Sequence, residues 1–149
     1  MSDTFTNLVY HVVFSTKNRE PVILPKNEAE RYAYIGGIIR GEKGTMLEVG
    51  GMRDHVHILT SFRPDVSVAE MMRHIKANSS KWLNQRRVIK PFRWQSGYGA
   101  FTVSQSQIPA VRRYLQNQHT HHKRVSFQEE FMALLRKHGV AFDEQYLWS

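Results

Sequence analysis

Two short constellations in this chain combine residue types and spacings that can do chemistry. In Arg53-Asp54-His55-Val56-His57-Ile58-Leu59, two histidines alternate with branched apolar residues. On an extended strand, side chains two residues apart point the same way, about 7 Å apart along the backbone, so both imidazoles can lean onto one metal ion. The same alternation also describes two histidines on the solvated face of an antiparallel sheet. In the stretch from Val111 to Arg124, "VRRYLQNQHTHHKR", Tyr114 and Gln118 stand one helical turn apart, about 40° round the axis, with His121 on the same stripe. Either a phenol, a carboxamide and an imidazole share a working face, or Tyr114 simply packs on an amphipathic helix with its hydroxyl in water.

Considered jointly, the two constellations suit phosphoryl chemistry. The imidazoles of His55 and His57 and the carboxamide oxygen of Gln118 would make an open three-ligand site for Mg²⁺ or Mn²⁺, with positions left for a phosphate oxygen. Tyr114, with an ordinary phenol pKa near 10, is a poor nucleophile at neutral pH, but a nearby cation favours its phenolate and makes attack on phosphorus feasible. Cysteine is absent, which removes disulfides, thiolate zinc sites and cysteine nucleophiles together. Three neighbours stay open: Asp54 is a partner for His55 or only a turn residue, Glu48 is a carboxylate in the adjoining strand, and His121 lines the site or is solvated.

These side chains need elements to position them. Thr6 to Phe14, "TNLVYHVVF", reads as a first strand, and Ala29, Tyr32, Ile35 and Ile39 mark a helix ended by Gly41 and Gly44. Thr45 to Met52 and His55 to Phe62 read as a hairpin turning at Arg53-Asp54, with Gly50-Gly51 as a bulge. In that strand Val56 and Ile58 fill the core, together with the apolar partners of Leu59, while the histidines face away from it. Ser67, with Glu70 three residues on, opens a second helix through Val68, Met71, Met72, Ile75 and Trp82. Tyr98 to Ser104 reads as a fourth strand, so the order is β-α-β-β-α-β, the ferredoxin-like arrangement of an antiparallel sheet backed by two helices. A third helix from Ser106 to His121, with Pro109 in its first turn, and a fourth from Phe127 to His138 form an extension. The expectation is one α+β domain over residues 1–149.

Charge bears on the partner. Lys plus Arg number 21 against 13 acids, a net +8 and a pI near 10.0, which draws a chain towards phosphate backbones. Arg73, Lys76 and Lys81 lie on the polar face of the second helix, and Arg86, Arg87, Lys90, Arg93 and Trp94 follow it. Cations track a backbone and an aromatic stacks on an unpaired base, which is how single strands are held, although Trp94 also suits the core. No basic region precedes an apolar run at the N-terminus, and nowhere do eighteen apolar residues follow one another, so a cytoplasmic protein with no membrane partner is expected.

Motif by motif, the chain resembles the small HUH-type single-tyrosine transposases of bacterial insertion sequences and their relatives associated with repetitive extragenic palindromes. The resemblance rests on His55-Val56-His57 after Arg53-Asp54, on Trp94-Gln95-Ser96-Gly97-Tyr98-Gly99-Ala100-Phe101 running into Val103-Ser104, on Tyr114-xxx-Gln118 followed by His121-His122, and on the ending "LLRKHGVAFDEQYLW". It implies a protein that binds single-stranded DNA bearing a hairpin and cleaves it through a 5′-phosphotyrosine link that leaves a free 3′-hydroxyl. A later 3′-hydroxyl reverses the link onto new DNA, with no nucleotide cofactor. Carried over by position, Tyr114 is the nucleophile and His55, His57 and Gln118 hold the divalent metal. The insertion-sequence branch implies a homodimer in which the tyrosine helix of one subunit completes the histidine site of the other; the palindrome-associated branch can be monomeric. The rival readings are a catalytically silent single-stranded nucleic-acid-binding module on the same fold, and a metal-dependent hydrolase that uses a bound water.

Overall fold

β-Branched and aromatic side chains dominate the stretch that forms the first strand, β1 (Val9–Ser15), a pleated segment buried on both faces. The computed structural model describes residues 4–24, 28–85 and 92–148. After β1 come helix α1 (Glu28–Gly41), strands β2 (Thr45–Gly51) and β3 (His55–Ser61), helix α2 (Val68–Gln85) and strand β4 (Gly99–Thr102). The strands lie in the order β2-β3-β1-β4 and every pairing is antiparallel, which is the α+β ferredoxin-like fold that the sequence leads one to expect.

One face of the sheet follows the expected pattern. Val12, Phe14, Val56 and Ile58 pack against Ile35 and Ile39 of α1 and against Met71, Met72, Ile75 and Leu83 of α2. Ser67 Oγ accepts a hydrogen bond from Glu70 N–H at 3.1 Å and starts α2 as its sequence signal predicts. The other face is where expectation and structure part. Three further helices, α3 (Ile108–Gln116), α4 (Gln118–His121) and α5 (Phe127–Lys137), cover it with a second apolar layer. Val13 and Phe101 meet Phe127, Phe131 and Leu135, while Val9 and Leu59 meet Leu115. Leu59 therefore lies on the histidine side of the sheet, not with Val56 and Ile58. That side is an interior, because the extension has apolar stripes of its own that must be buried.

Two local differences bear on the site. The register shift of the β2–β3 hairpin falls between Met46 and Glu48, not at Gly50-Gly51. Gly50 has another reason: a Cβ there would stand 2.1 Å from the Leu115 carbonyl oxygen, so only glycine lets α3 lie this close to β2. The expected single helix from Ser106 to His121 is broken at Asn117, whose φ of −99° and ψ of 17° leave the helical region. Its N–H is shared between the carbonyls of Arg113 and Tyr114, and asparagine readily gives up helical geometry. Pro109 sits in the first turn of α3 as expected. Helix α5 is held at both ends, by a capping box between Ser126 and Glu129 and by Gly139 at φ 68°. Beyond Gly139, Val140 N–H returns to the Leu135 carbonyl at 2.9 Å in a Schellman closure.

Candidate functional site

The two histidines of β3 are fully buried and meet the extension side chains directly. The His55 ring is held from behind: Nδ1–H donates to Asp54 Oδ1 at 2.7 Å, so Asp54 is an orienting partner as well as a bend residue. With that proton fixed, the opposite nitrogen, Nε2, stands 3.0 Å from Gln118 Oε1. Gln118 is itself oriented, because its Nε2 donates to Glu130 Oε2 at 3.0 Å and turns Oε1 towards the histidine. With Nε2 deprotonated, two acceptors face each other in a dry site. Either an imidazolium proton or a cation must lie between them, so the donor set fits the divalent ion expected at His55, His57 and Gln118.

His57 is oriented in the same fashion by a residue the sequence did not single out. Its Nδ1 lies 2.8 Å from Nε2 of His11, which alternates with Val13 on β1. Burial holds His11 down at about 3, with His57 adding to the effect, so His11 stays neutral and can accept a proton bond from His57 Nδ1. His57 Nε2 is left free to point at the Glu130 carboxylate, 2.8 Å away. Burial lowers His57 to about 4, an effect that the Glu130 carboxylate only partly offsets. For His55, burial opposes the charge, but its bonds to Asp54 and Glu130 outweigh this and raise it to about 9.

Glu130, only 2% exposed, is the hub. Its Oε1 faces Nε2 of His57 at 2.8 Å, of His122 at 3.0 Å and of His55 at 3.3 Å. Its Oε2 accepts from the Tyr114 hydroxyl and from Gln118, with His121 Nε2 at 3.3 Å. Burial alone would push Glu130 up, yet the hydrogen bonds from His122, His55 and His57 hold it far below the usual carboxylate range. Tyr114 moves the other way: burial first, then the charge of Glu130 and the bond to it, push the phenol well above its ordinary range. Tyr114 therefore rests protonated.

The structure brings Tyr114, His55, His57 and Gln118 to one place within one chain, and α3 lies over β2 with Tyr114 and Leu115 against Leu59. His121 lines the site, 3.5 Å from the Tyr114 hydroxyl. Glu48 does not reach it and instead accepts a hydrogen bond from Gln116 Nε2 at 3.0 Å. Glu130, His122 and His11 were missed. A signal for Glu130 existed, since it falls three residues after Phe127 and four before Leu134, on an otherwise apolar stripe, where a lone carboxylate needs a partner.

Of the cations, Arg73, Lys76 and Arg93 line one groove of about 550 Å³ with Ser80, Ser96 and Tyr98. Lys76 Nζ donates to the Gly97 carbonyl at 3.0 Å and lies over the Tyr98 ring. Lys81 is exposed on α2 outside this lining, and Arg86, Arg87 and Lys90 fall outside the described residues. Trp94 corrects one expectation. It borders this groove but is only 9% exposed, packed edge-on between Phe14 and Phe92 with its Nε1–H donating to Ser79 Oγ, so most of its ring belongs to the core.

Residues 4–118 match the family described as transposase, IS200-like. The chain is 27% identical over 128 residues to the transposase of insertion sequence element IS200 from Salmonella typhimurium, covering 79% of this chain and 81% of that one, and equally to its counterpart in Salmonella typhi. Two solved structures share the fold. One is a candidate transposase of Deinococcus radiodurans R1, with a TM-score of 0.63, 19% identity and coverage of 79% of this chain and 96% of that one. The other is a REP-associated tyrosine transposase bound to a REP hairpin, with a TM-score of 0.62, 14% identity and coverage of 84% and 76%. The chain belongs to the IS200-like transposase family and is a DNA transposase by class.

Proposed function

We propose that this protein cuts and rejoins single-stranded DNA by transesterification through Tyr114, with a divalent ion held by His55, His57 and Gln118. The observation that carries this reading is the convergence of the Tyr114 hydroxyl, two oriented imidazoles and the Gln118 oxygen on one buried point. A bound divalent ion supplies the positive charge that polarises the scissile phosphate. Asp54 and His11 hold the two imidazoles in the tautomer that presents Nε2. The Glu130 carboxylate aims the phenol and, by its charge, keeps it protonated until positive charge enters the site. The Tyr114 oxygen then forms its bond to phosphorus as the bond from phosphorus to the 3′-oxygen breaks. The phenol proton ends on that 3′-oxygen, which leaves as a hydroxyl while the 5′-phosphate stays on the tyrosine. Attack by another 3′-hydroxyl runs the step in reverse and releases Tyr114, so neither water nor a nucleotide is consumed.

The substrate in this reading is a single strand bearing a hairpin, the kind of DNA named for the solved REP-associated relative. The groove of Arg73, Lys76 and Arg93 suits its backbone. A second cleft of about 500 Å³, bordered by Tyr114, His11, Gln107, Lys137 and His138, is the opening through which a strand reaches the nucleophile. Because one chain assembles the whole cluster, a monomer suffices for chemistry. Among the described residues no helix is long and apolar enough to cross a membrane, and the proposed site of action is DNA in the cytoplasm.

The test is incubation with labelled single-stranded hairpins from the flanks of the gene, with Mn²⁺ or Mg²⁺, followed by a denaturing gel. A metal-dependent protein-DNA band that is absent in Tyr114→Phe is expected. Binding with no adduct on any flank substrate would favour a silent binding module, and cleavage without an adduct would favour a hydrolase.

A further inference from the structure

The metal site as proposed rests on residues up to Gln118, where the match to the family ends. Twelve residues further on, the chain returns to the same point with donors that this ligand set does not include. His122 is pinned as firmly as the β3 histidines, its Nδ1–H donating to the Val125 carbonyl at 2.7 Å. A carbonyl only accepts, so one proton is on Nδ1, and Nε2, aimed at Glu130 Oε1 3.0 Å away, carries either a second proton donated to that carboxylate or a lone pair that a cation can take. A lone pair against a carboxylate in a dry site is repulsive unless a positive charge is shared between them.

Three imidazoles repeat this arrangement. His55, His57 and His122 each have the far nitrogen engaged, by Asp54, His11 and Val125, and each points Nε2 at one buried carboxylate oxygen. The ligand-capable atoms of His55, His57, His122 and Glu130 all lie within 4.8 Å of one another. Around a six-coordinate ion at about 2.1 Å, neighbouring donors stand roughly 3.0 Å apart and opposite ones roughly 4.2 Å. The observed separations of 2.8, 3.0 and 3.3 Å, each from Glu130 Oε1 to one Nε2, match the spacing of neighbours round such an ion, which is also that of an imidazolium hydrogen bond.

We infer that His122 and Glu130 are metal ligands in addition to His55, His57 and Gln118, and that this three-imidazole, one-carboxylate set selects a transition ion such as Mn²⁺ over Mg²⁺. The inference rests on the proposed metal role of the site, but not on the fate of DNA there. Imidazole nitrogens suit first-row transition ions, whereas Mg²⁺ prefers oxygen donors and keeps several waters. A set with three nitrogens therefore discriminates where one with two nitrogens and an amide oxygen does so less. The same carboxylate accepts the Tyr114 hydroxyl on its other oxygen, so loading of the ion and aim of the nucleophile are joined through Glu130. The ion also ties α5 to the sheet.

The experiment measures metal binding by the full-length protein without DNA. Mn²⁺ and Mg²⁺ titrations followed by calorimetry are run on the unaltered protein, His122→Ala, Glu130→Gln, His55→Ala and the surface control Glu144→Gln. Co²⁺ visible spectra report the ligands directly. The expected result is Mn²⁺ binding at least 100-fold tighter than Mg²⁺. His122→Ala and Glu130→Gln should each weaken Mn²⁺ by at least 10-fold, His122→Ala should shift the Co²⁺ bands, and Glu144→Gln should change nothing. Circular dichroism checks folding, and His122→Ala decides the matter if Glu130→Gln does not fold, since His122 is nearer the surface. If His55→Ala abolishes binding while His122→Ala and Glu130→Gln bind Mn²⁺ as the unaltered protein does, the inference is overturned and the proposed function stands. If no metal binds the unaltered protein, both fall.

Discussion

At the scale of single residues, the site is a set of buried groups whose protonation states are fixed by what stands behind them. His11 and His57 are held down at about 3 and 4, so between pH 6.5 and 4 the unfolded chain binds protons that the folded chain refuses. Their burial carries no protonation penalty above pH 6.5 and an increasing one below it. His55, raised to about 9, works the opposite way: its stabilising contribution is full below pH 6.5 and is lost as pH rises through 9. Thermal unfolding of the metal-free protein should therefore show Tm falling steadily from pH 6.5 to 4, and His11→Phe should flatten that fall. A flat acid limb in the unaltered protein would contradict the buried network. His55, His57, Tyr114 and Gln118 were legible in the sequence because strand and helix periodicity put each pair on one face. Glu130 and His11 were not, because each looks like a lone polar residue on an apolar stripe until the partner from another element is known.

At the scale of elements, the decisive contact is that of α3 with β2. The approach depends on Gly50, where a methyl group would meet the Leu115 carbonyl at 2.1 Å. Gly50→Ala should push α3 outward, destabilise the protein by about 1–3 kcal/mol and lower Tm by roughly 2–4 °C per kcal/mol. The same variant should lose adduct formation out of proportion to its stability, since Tyr114 rides on α3. An adduct yield equal to that of the unaltered protein at 20 °C would show that the approach does not position the tyrosine. The β-α-β-β-α-β order could be read from periodicity and caps. The break at Asn117 could not, because a single helix from Ser106 to His121 satisfies the same local pattern. Nor could the purpose of Gly50, since a strand glycine reads as a bulge unless the helix lying over it is in view.

At the scale of the whole molecule, the extension turns one face of the sheet into an enclosed site, and one chain closes it. Tyr114→Phe and His57→Ala, each inactive alone, should stay inactive when mixed; restored adduct formation would mean that the tyrosine serves a partner's histidines. The basic groove sits at the β4 edge, beside Ser96 and Tyr98, and on the α2 side of the sheet. Arg73→Ala and Arg93→Ala should each weaken hairpin binding and reduce the slope of log affinity against log salt by about 1, measured by fluorescence anisotropy at several salt concentrations. An unchanged slope would move the DNA path elsewhere. The positive charge of the chain pointed to a phosphate partner from composition alone, whereas the burial of most of the Trp94 ring was not legible, because an aromatic beside a basic stretch suits a base stack and a core anchor equally.

In the proposed reaction the Tyr114 oxygen becomes bonded to DNA phosphorus. The most direct measurement is mass spectrometry of the protein after incubation with a flank-derived single-stranded hairpin and Mn²⁺, followed by nuclease and protease digestion. The expected result is a nucleotide 5′-phosphate on the peptide containing Tyr114, with fragment ions placing it on that side chain. A nucleotide on any other residue, or cleaved DNA with no protein-linked nucleotide, would contradict it.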